Sequence, residues 1–296
     1  YRVLAQNSAG LSVPSNAIDL VREATAPGEV RNFSAAISSG IIRLTWGAPN
    51  DDGGTPILGY RVEQRIGQQW TVLLDQTQSL SHEVAAGSPG ALSAYRVFAI
   101  TRVGVSATAS ERTVQVPFLQ ASEPLSFSAV LEGNRIRFAW NAPVQLGGST
   151  LSGYVIASAV SGSPFRSIAN LPAGATSLVW AGANPGTEIQ FRIAAATIGA
   201  GTGAWSLPIL LRIPAVAPSD PNALTAQVRA GEGVLLTWTA PSSDGGSPIL
   251  DYRVEVRRST GWALLGRTAG LSYLAPLGVA GEILQHRVVA INAIGS

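Results

Sequence analysis

The 296-residue chain contains no cysteine, no methionine and no lysine, and only two histidines. Without thiols there is no disulfide framework, no thiolate nucleophile and no cysteine-based metal site, and two imidazoles leave little for acid–base catalysis. Cysteine usage therefore says nothing about redox compartment. No apolar run approaches the roughly 18 residues of a membrane-spanning helix, and no charged stretch leading into an apolar core resembles a signal peptide. The 20 basic residues are all arginine and stand against 18 acidic ones, a net charge of +2. They are scattered along the chain, so the pI near 9.3 does not signal the cationic cluster that nucleic acid requires. Nucleotide-binding glycine loops, nucleophile elbows and zinc signatures are missing as well.

Hydrophobic residues make up 46% of the chain, enough to fill cores, while 32 glycines and 18 prolines point to many turns. That combination predicts an ordered all-β protein, and the length suits two or three domains. Internal repetition sharpens this. Trp46, Trp140 and Trp238 are each followed 14 residues later by tyrosine, at Tyr60, Tyr154 and Tyr252. Chance supplies about 0.14 such pairs at any one spacing, so three copies are a repeat. A second anchor reads "YRVLAQNSAG" at Tyr1, "YRVFAITRVG" at Tyr95, "FRIAAATIGA" at Phe191 and "HRVVAINAIG" at His286, at intervals of 94, 96 and 95 residues. This is the period of a whole domain, too long for a solenoid unit.

Within each repeat the apolar residues alternate. Ile42, Leu44 and Trp46 share one face against Arg43 and Thr45; Ile136, Phe138 and Trp140 do so against Arg135 and Arg137; Val234, Leu236 and Trp238 complete the set. Period two means half-buried strands, and turn signals about every ten residues favour a β-sandwich.

These residues resemble fibronectin type III domains. The resemblance rests on Pro27, Trp46, Pro49, Gly53, Gly54, Tyr60 and Val62, continued by Arg96, Val97, Ala99 and Gly104, and it covers essentially the whole chain. It implies tandem seven-stranded, immunoglobulin-like sandwiches with strands A, B and E facing C, C′, F and G. Ser93, Ile189 and Leu284 stand where such domains place a corner tyrosine, so that hydrogen bond is expected to be missing. No Arg-Gly-Asp occurs, and the adhesive chemistry of that tripeptide does not carry over.

The register predicts the last two strands of a truncated domain at 1–23, complete domains at 26–117 and 121–213, and a domain lacking its last strand at 217–296. A sandwich without that strand would expose core and unpaired backbone, so the chain reads as part of a longer array. The proline-rich junctions "EATAPGEV", "VPFLQASEP" and "IPAVAPSDP" read as semi-rigid spacers, and a rod is expected.

The loop "DDGGTPILGYRVE" at Asp51, repeated as "SDGGSPILDYRVE" at Ser243, invites a calcium reading. An EF-hand needs a glutamate at its twelfth position, where this loop offers Arg61 or Val62, and the middle repeat keeps Gly147 and Gly148 without the acids. The loop is therefore read as a turn, with glycines supplying positive φ. Four other aromatics are candidate contacts with a partner chain or a glycan: Trp70 and Trp262, ten residues after their strand tyrosines, Phe165 near the equivalent place, and Trp205 in the last strand of its repeat. The alternative is that each covers its own sandwich. His82 and His286 lack ligand partners at useful spacing and read as structural. Arg61, Arg96, Arg253 and Arg287 near Glu63 and Glu255 read as an outward charge ladder worth less than about 1 kcal/mol per pair. "NFS" at Asn32 is a formal glycosylation triplet.

The functional expectation is a non-catalytic structural module of an extracellular or cell-surface repeat protein, similar to multi-repeat bacterial surface proteins: a stalk, filament or sheath component. It would use no cofactor and no metal. Its partners would be neighbouring repeats, other copies and surface glycan, with no nucleic acid and no membrane span. The other reading is a spacer or carbohydrate-binding accessory module of a secreted polysaccharide-active enzyme, and a third is polymerisation by strand exchange.

Overall fold

The computed structural model describes residues 1–258, 260–279 and 281–296. It is all-β and divides into two compact units, Tyr1–Leu119 and Gln120–Ser296.

The first unit opens with a hairpin, β1 (Gln6–Asn7) and β2 (Gly10–Leu11), in which Gln6 pairs with Leu11. The ladder continues beyond these strands through Ser12 N–H to Ala5 O at 2.8 Å and Ser15 N–H to Val3 O at 2.9 Å. The first sandwich follows: β3 (Arg31–Ser38), β4 (Ile41–Gly47), β5 (Gly59–Ile66), β6 (Gln69–Thr77), β7 (Ser81–Ala85), β8 (Leu92–Ile100) and β9 (Ser110–Gln115). One sheet runs β3-β4-β7 and the other β6-β5-β8-β9, all antiparallel. That is the A-B-E and C′-C-F-G arrangement that the resemblance implies. The alternating residues of β4 turn Ile42, Leu44 and Trp46 inward against Tyr60 and Val62 of β5 and Tyr95 and Val97 of β8.

The second unit holds two separate cores. Its first sandwich comprises β10 (Leu125–Glu132), β11 (Arg135–Asn141), β12 (Leu151–Val160), β13 (Arg166–Pro172), β14 (Ser177–Trp180), β15 (Glu188–Thr197), β16 (Gly201–Trp205) and β17 (Ile209–Arg212). Here the final strand is split, and β16 and β17 both pair with β15. The next sandwich comprises β18 (Asn222–Arg229), β19 (Gly233–Thr239), β20 (Asp251–Arg258), β21 (Gly261–Thr268), β22 (Ser272–Ala275) and β23 (His286–Ile291), in sheets β18-β19-β22 and β21-β20-β23. In the first sandwich Ser110 of β9 donates to the Val30 carbonyl, and nearby Phe33 is 2% exposed. No described strand does this for β18, which stays exposed along its length.

Each core is centred on an edge-to-face aromatic pair: Trp46–Tyr60 at 5.9 Å, Trp140–Tyr154 at 5.5 Å and Trp238–Tyr252 at 5.5 Å. Such pairs contribute about 0.5–1.5 kcal/mol beyond burial. Burial pushes the Tyr60 and Tyr154 phenols up from their ordinary pKa. The three indole Nε1–H groups are buried without a hydrogen-bond partner. The second sandwich adds further rings, Phe138 against Phe191 at 5.0 Å and Trp180 against Phe191 at 5.7 Å.

The first strand of every sandwich carries a bulge at the same place, with a left-handed residue in it: Asn32 (φ 49°), Ser126 (φ 53°) and Ala223 (φ 51°). Asn32, the asparagine of the glycosylation triplet, is exposed. Its unusual backbone belongs to the fold, since serine and alanine adopt it in the other repeats.

Candidate functional site: arginine stacks on the outward sheet faces

The Asp-Gly-Gly loops are the obvious first place for a ligand, and their carboxylates are already engaged. Asp51 Oδ1 accepts from Gly53 N–H at 2.9 Å, Asp52 Oδ1 from Gly54 N–H at 2.8 Å, and Asp244 Oδ1 from Gly246 N–H at 2.8 Å. These are Asx turns, in which the acid shapes its own backbone. Both glycines of each pair have positive φ, between 69° and 80° at Gly53 and Gly54 and between 73° and 77° at Gly245 and Gly246. A β-carbon on Gly53 would also lie 2.8 Å from the Thr25 carbonyl carbon, and one on Gly245 would lie 2.7 Å from the Ala217 oxygen. The first glycine therefore lets the loop close on the linker that leads into its own domain.

The four candidate aromatics belong to the sheets built on β5, β12 and β20 or to the turn beside them, and every one of them packs on an arginine. In the first sandwich Arg96 of β8 lies over Trp70 of β6 at 4.3 Å and near Phe98 at 5.0 Å, with Arg65 5.4 Å from Trp70. In the third, Arg287 of β23 lies over Trp262 of β21 at 4.4 Å. In the second, Arg192 of β15 lies over both Phe165, just before β13, and Trp205 of β16, at 4.1 and 4.3 Å. Each stack is cation–π in kind, worth about 0.5–2 kcal/mol according to desolvation.

Cross-strand register explains the stacks. Glu63 pairs with Arg96 and Glu255 with Arg287, so each carboxylate and guanidinium share a face. Arg96 Nη2 reaches Glu63 Oε2 at 2.6 Å, and Arg61 adds a longer contact to Glu63 at 3.9 Å and one to Asp75 at 3.0 Å. Arg287 Nε donates to Glu255 Oε2, Arg253 Nε lies 2.9 Å from Oε1, and Arg267 pairs with Asp251 at 3.3 Å. The sequence reading treated these as weak surface ladders. The geometry corrects it: Glu63 and Glu255 are only 8% and 7% exposed, each against two arginines, and removing one partner here strands a desolvated charge.

The second sandwich departs from this scheme. Ala157 occupies the cross-strand position opposite Arg192, and the buried Nε of Arg192 has no hydrogen-bond partner. A second ring, Trp205, lies against the guanidinium, where the other sandwiches offer a carboxylate. The sequence marks all four aromatics as candidate contacts and does not show that each stacks on an arginine. Aligning the internal repeats would have exposed the clue, because Glu63 and Glu255 bracket an alanine.

His286 of β23 occupies the core position held by Tyr95 and Phe191 elsewhere. Burial holds its imidazole below the ordinary pKa, and its Nε2 has no partner. Among the described residues no three His, Cys, Asp or Glu side chains cluster as metal ligands.

No family model matches the chain. It is 26% identical over 325 residues to human Myomesin-2, covering all of this chain and 21% of that protein. It is 25% identical over 315 residues to human Fibronectin type-III domain-containing protein 3A, covering all of this chain and 25% of that protein, and 26% identical over 306 residues to Titin of Drosophila melanogaster, covering 90% of this chain and 2% of that protein. The chain thus spans at most a quarter of these relatives' lengths, and these relatives are animal proteins. The solved chicken CNTN1 FN1-FN3 domains align over 91% of the chain at 16% identity, with a TM-score of only 0.33. The repeat period and the two-sheet strand order make this chain a tandem array of β-sandwiches with the fibronectin type III strand order, similar to these curated repeat proteins.

Proposed function

We propose that the chain is a structural stretch of a longer repeat protein at the cell surface or outside the cell, part of a stalk, filament or sheath, and that it meets neighbouring repeats and other copies of itself. One observation carries this reading. The polar and aromatic groups that would form a ligand site are spent on the fold, in Asx turns and in arginine stacks. What remains is a set of small sandwiches, suited to repetition and to bearing load. Electron microscopy of the native material tests it: ordered filaments whose rise matches stacked sandwiches are expected, while dispersed chains tethered to a separate globular domain would overturn it.

A second reading is favoured by Trp262, which is 37% exposed although stacked, and which shares its face and place with Trp70. An aromatic repeated on an open sheet face suits a flat sugar ring, as in an accessory module of a secreted polysaccharide-active enzyme or a contact with surface glycan. Glycan binding that disappears in Trp70→Ala and Trp262→Ala would support this. Variants that lose stability and retain whatever binding the wild type has would leave the structural reading alone.

A further inference from the structure

Both glycines of the paired-glycine turn need their positive φ, and in the second unit the second glycine has another use. The turn Asn184–Pro185–Gly186–Thr187 of the second sandwich is closed by Thr187 Oγ1 donating to Asn184 O at 2.6 Å. Gly186 N–H donates to Ile213 O at 3.0 Å and less closely to Pro214 O at 3.3 Å, with φ at 73°. This turn lies directly against Gly246. A β-carbon on Gly246 would sit 2.6 Å from Gly186 Cα and overlap the Pro185 carbonyl; one on Gly186 would sit 2.6 Å from Gly246 Cα and 2.7 Å from its carbonyl carbon. The exclusion is reciprocal and backbone against backbone, so no side-chain rotation relieves it.

The receiving turn is braced from behind. Asn292, 3% exposed, donates through Nδ2 to Val216 O at 2.7 Å and to Asp244 O at 2.8 Å, and Val216 N–H donates to Gly245 O at 2.8 Å. One asparagine thus ties the incoming linker to the glycine turn. Gly54 of the first sandwich shows what the fold itself demands. It has the same conformation, φ 80° against 77°, yet a β-carbon there meets nothing within 4 Å. The crowding at Gly246 comes from the preceding sandwich.

We propose that the second glycine of the pair is a docking position between repeats: the Pro185–Gly186 turn of the second sandwich seats on Gly246 of the third, and this contact fixes the angle between the two. The partner that fits is a left-handed Pro-Gly turn of another sandwich. Pro89–Gly90 builds the same turn in the first sandwich, with Gly90 at φ 78° and its N–H on Val116 O at 3.0 Å.

Residual dipolar couplings on the full chain test this, with Gly54→Ala as a matched control. Gly54→Ala and Gly246→Ala both place a β-carbon at φ near 80° and share that backbone strain; only the second meets a neighbour. The second and third sandwiches are expected to share one alignment tensor in the wild type and in Gly54→Ala, and to lose it in Gly246→Ala. Gly186→Ala attacks the same contact from the other sandwich and gives the answer if Gly246→Ala disrupts the third core, which the Trp238 indole resonance reports. Independent tensors in the wild type would overturn the proposal, as would a Gly246→Ala chain that stays as coupled as Gly54→Ala.

Discussion

The first and third sandwiches solve a problem with charge that the second solves with rings. In the outer pair an arginine is held on the outward sheet face by a buried glutamate and an indole. In the second sandwich the glutamate is Ala157, and Arg192 lies over both Phe165 and Trp205. The core follows the same division: the second sandwich stacks Phe138, Phe191 and Trp180, where its neighbours offer Tyr95 or His286 with fewer rings around them. A fixed position in the fold demands a held guanidinium, and the chain meets that demand either by pairing or by stacking. A buried ion pair recovers its desolvation cost only with good geometry, whereas a doubly stacked guanidinium leaves an N–H without a partner.

Breaking the ring-based solution at its centre has the largest effect. Phe191→Ala removes a fully buried ring that touches two others, and it is expected to destabilise the second sandwich by about 3–5 kcal/mol with no change in the first, as calorimetry of the full chain would show. Breaking the charge-based solution comes next. Glu63→Ala leaves Arg96 and Arg61 without their shared carboxylate and should cost the first sandwich about 1–3 kcal/mol; Glu255→Ala should match it in the third. Denaturant midpoints for each sandwich measure both. Conversion of one solution into the other is subtler. Ala157→Glu places a carboxylate opposite Arg192 and should stabilise the second sandwich by about 0.5–1 kcal/mol, and Trp205→Ala should then cost less than it does in the wild type. If the two substitutions are additive, the glutamate has not taken over the arginine.

The smallest effect concerns His286. Its pKa lies below the ordinary 6.5 because of burial, so below that pH the unfolded chain binds the proton more readily than the folded one. Stability of the third sandwich is therefore complete above 6.5 and declines as pH falls through that value toward the folded pKa. His286→Phe, copying the second sandwich, should flatten this slope, which melting curves between pH 7.5 and pH 5 (roughly one unit to either side of the ordinary pKa) would reveal.

The fold was legible in the sequence because its signals are local and periodic. Ile42, Leu44 and Trp46 alternate as a strand must, and the 14-residue step from tryptophan to tyrosine marks two strands whose rings meet across the core. The Glu63–Arg96 pair was legible as a charge ladder, but the stacks were not, because Trp70 of β6 reaches Arg96 of β8 across β5 and no spacing rule announces it. The same holds for Gly246. Its conformation could be read from the turn it occupies, whereas its neighbour belongs to another sandwich.

The three core indoles, whose N–H groups are buried without acceptors, give the chain one reporter per sandwich. Such a proton has no internal bond to break and leaves only when solvent reaches it, so its exchange with deuterium times the opening of the core around it. Trp46, Trp140 and Trp238 would thus give three separate opening free energies from one sample. The order in which the sandwiches open could be measured in the intact chain without cutting it or attaching a label.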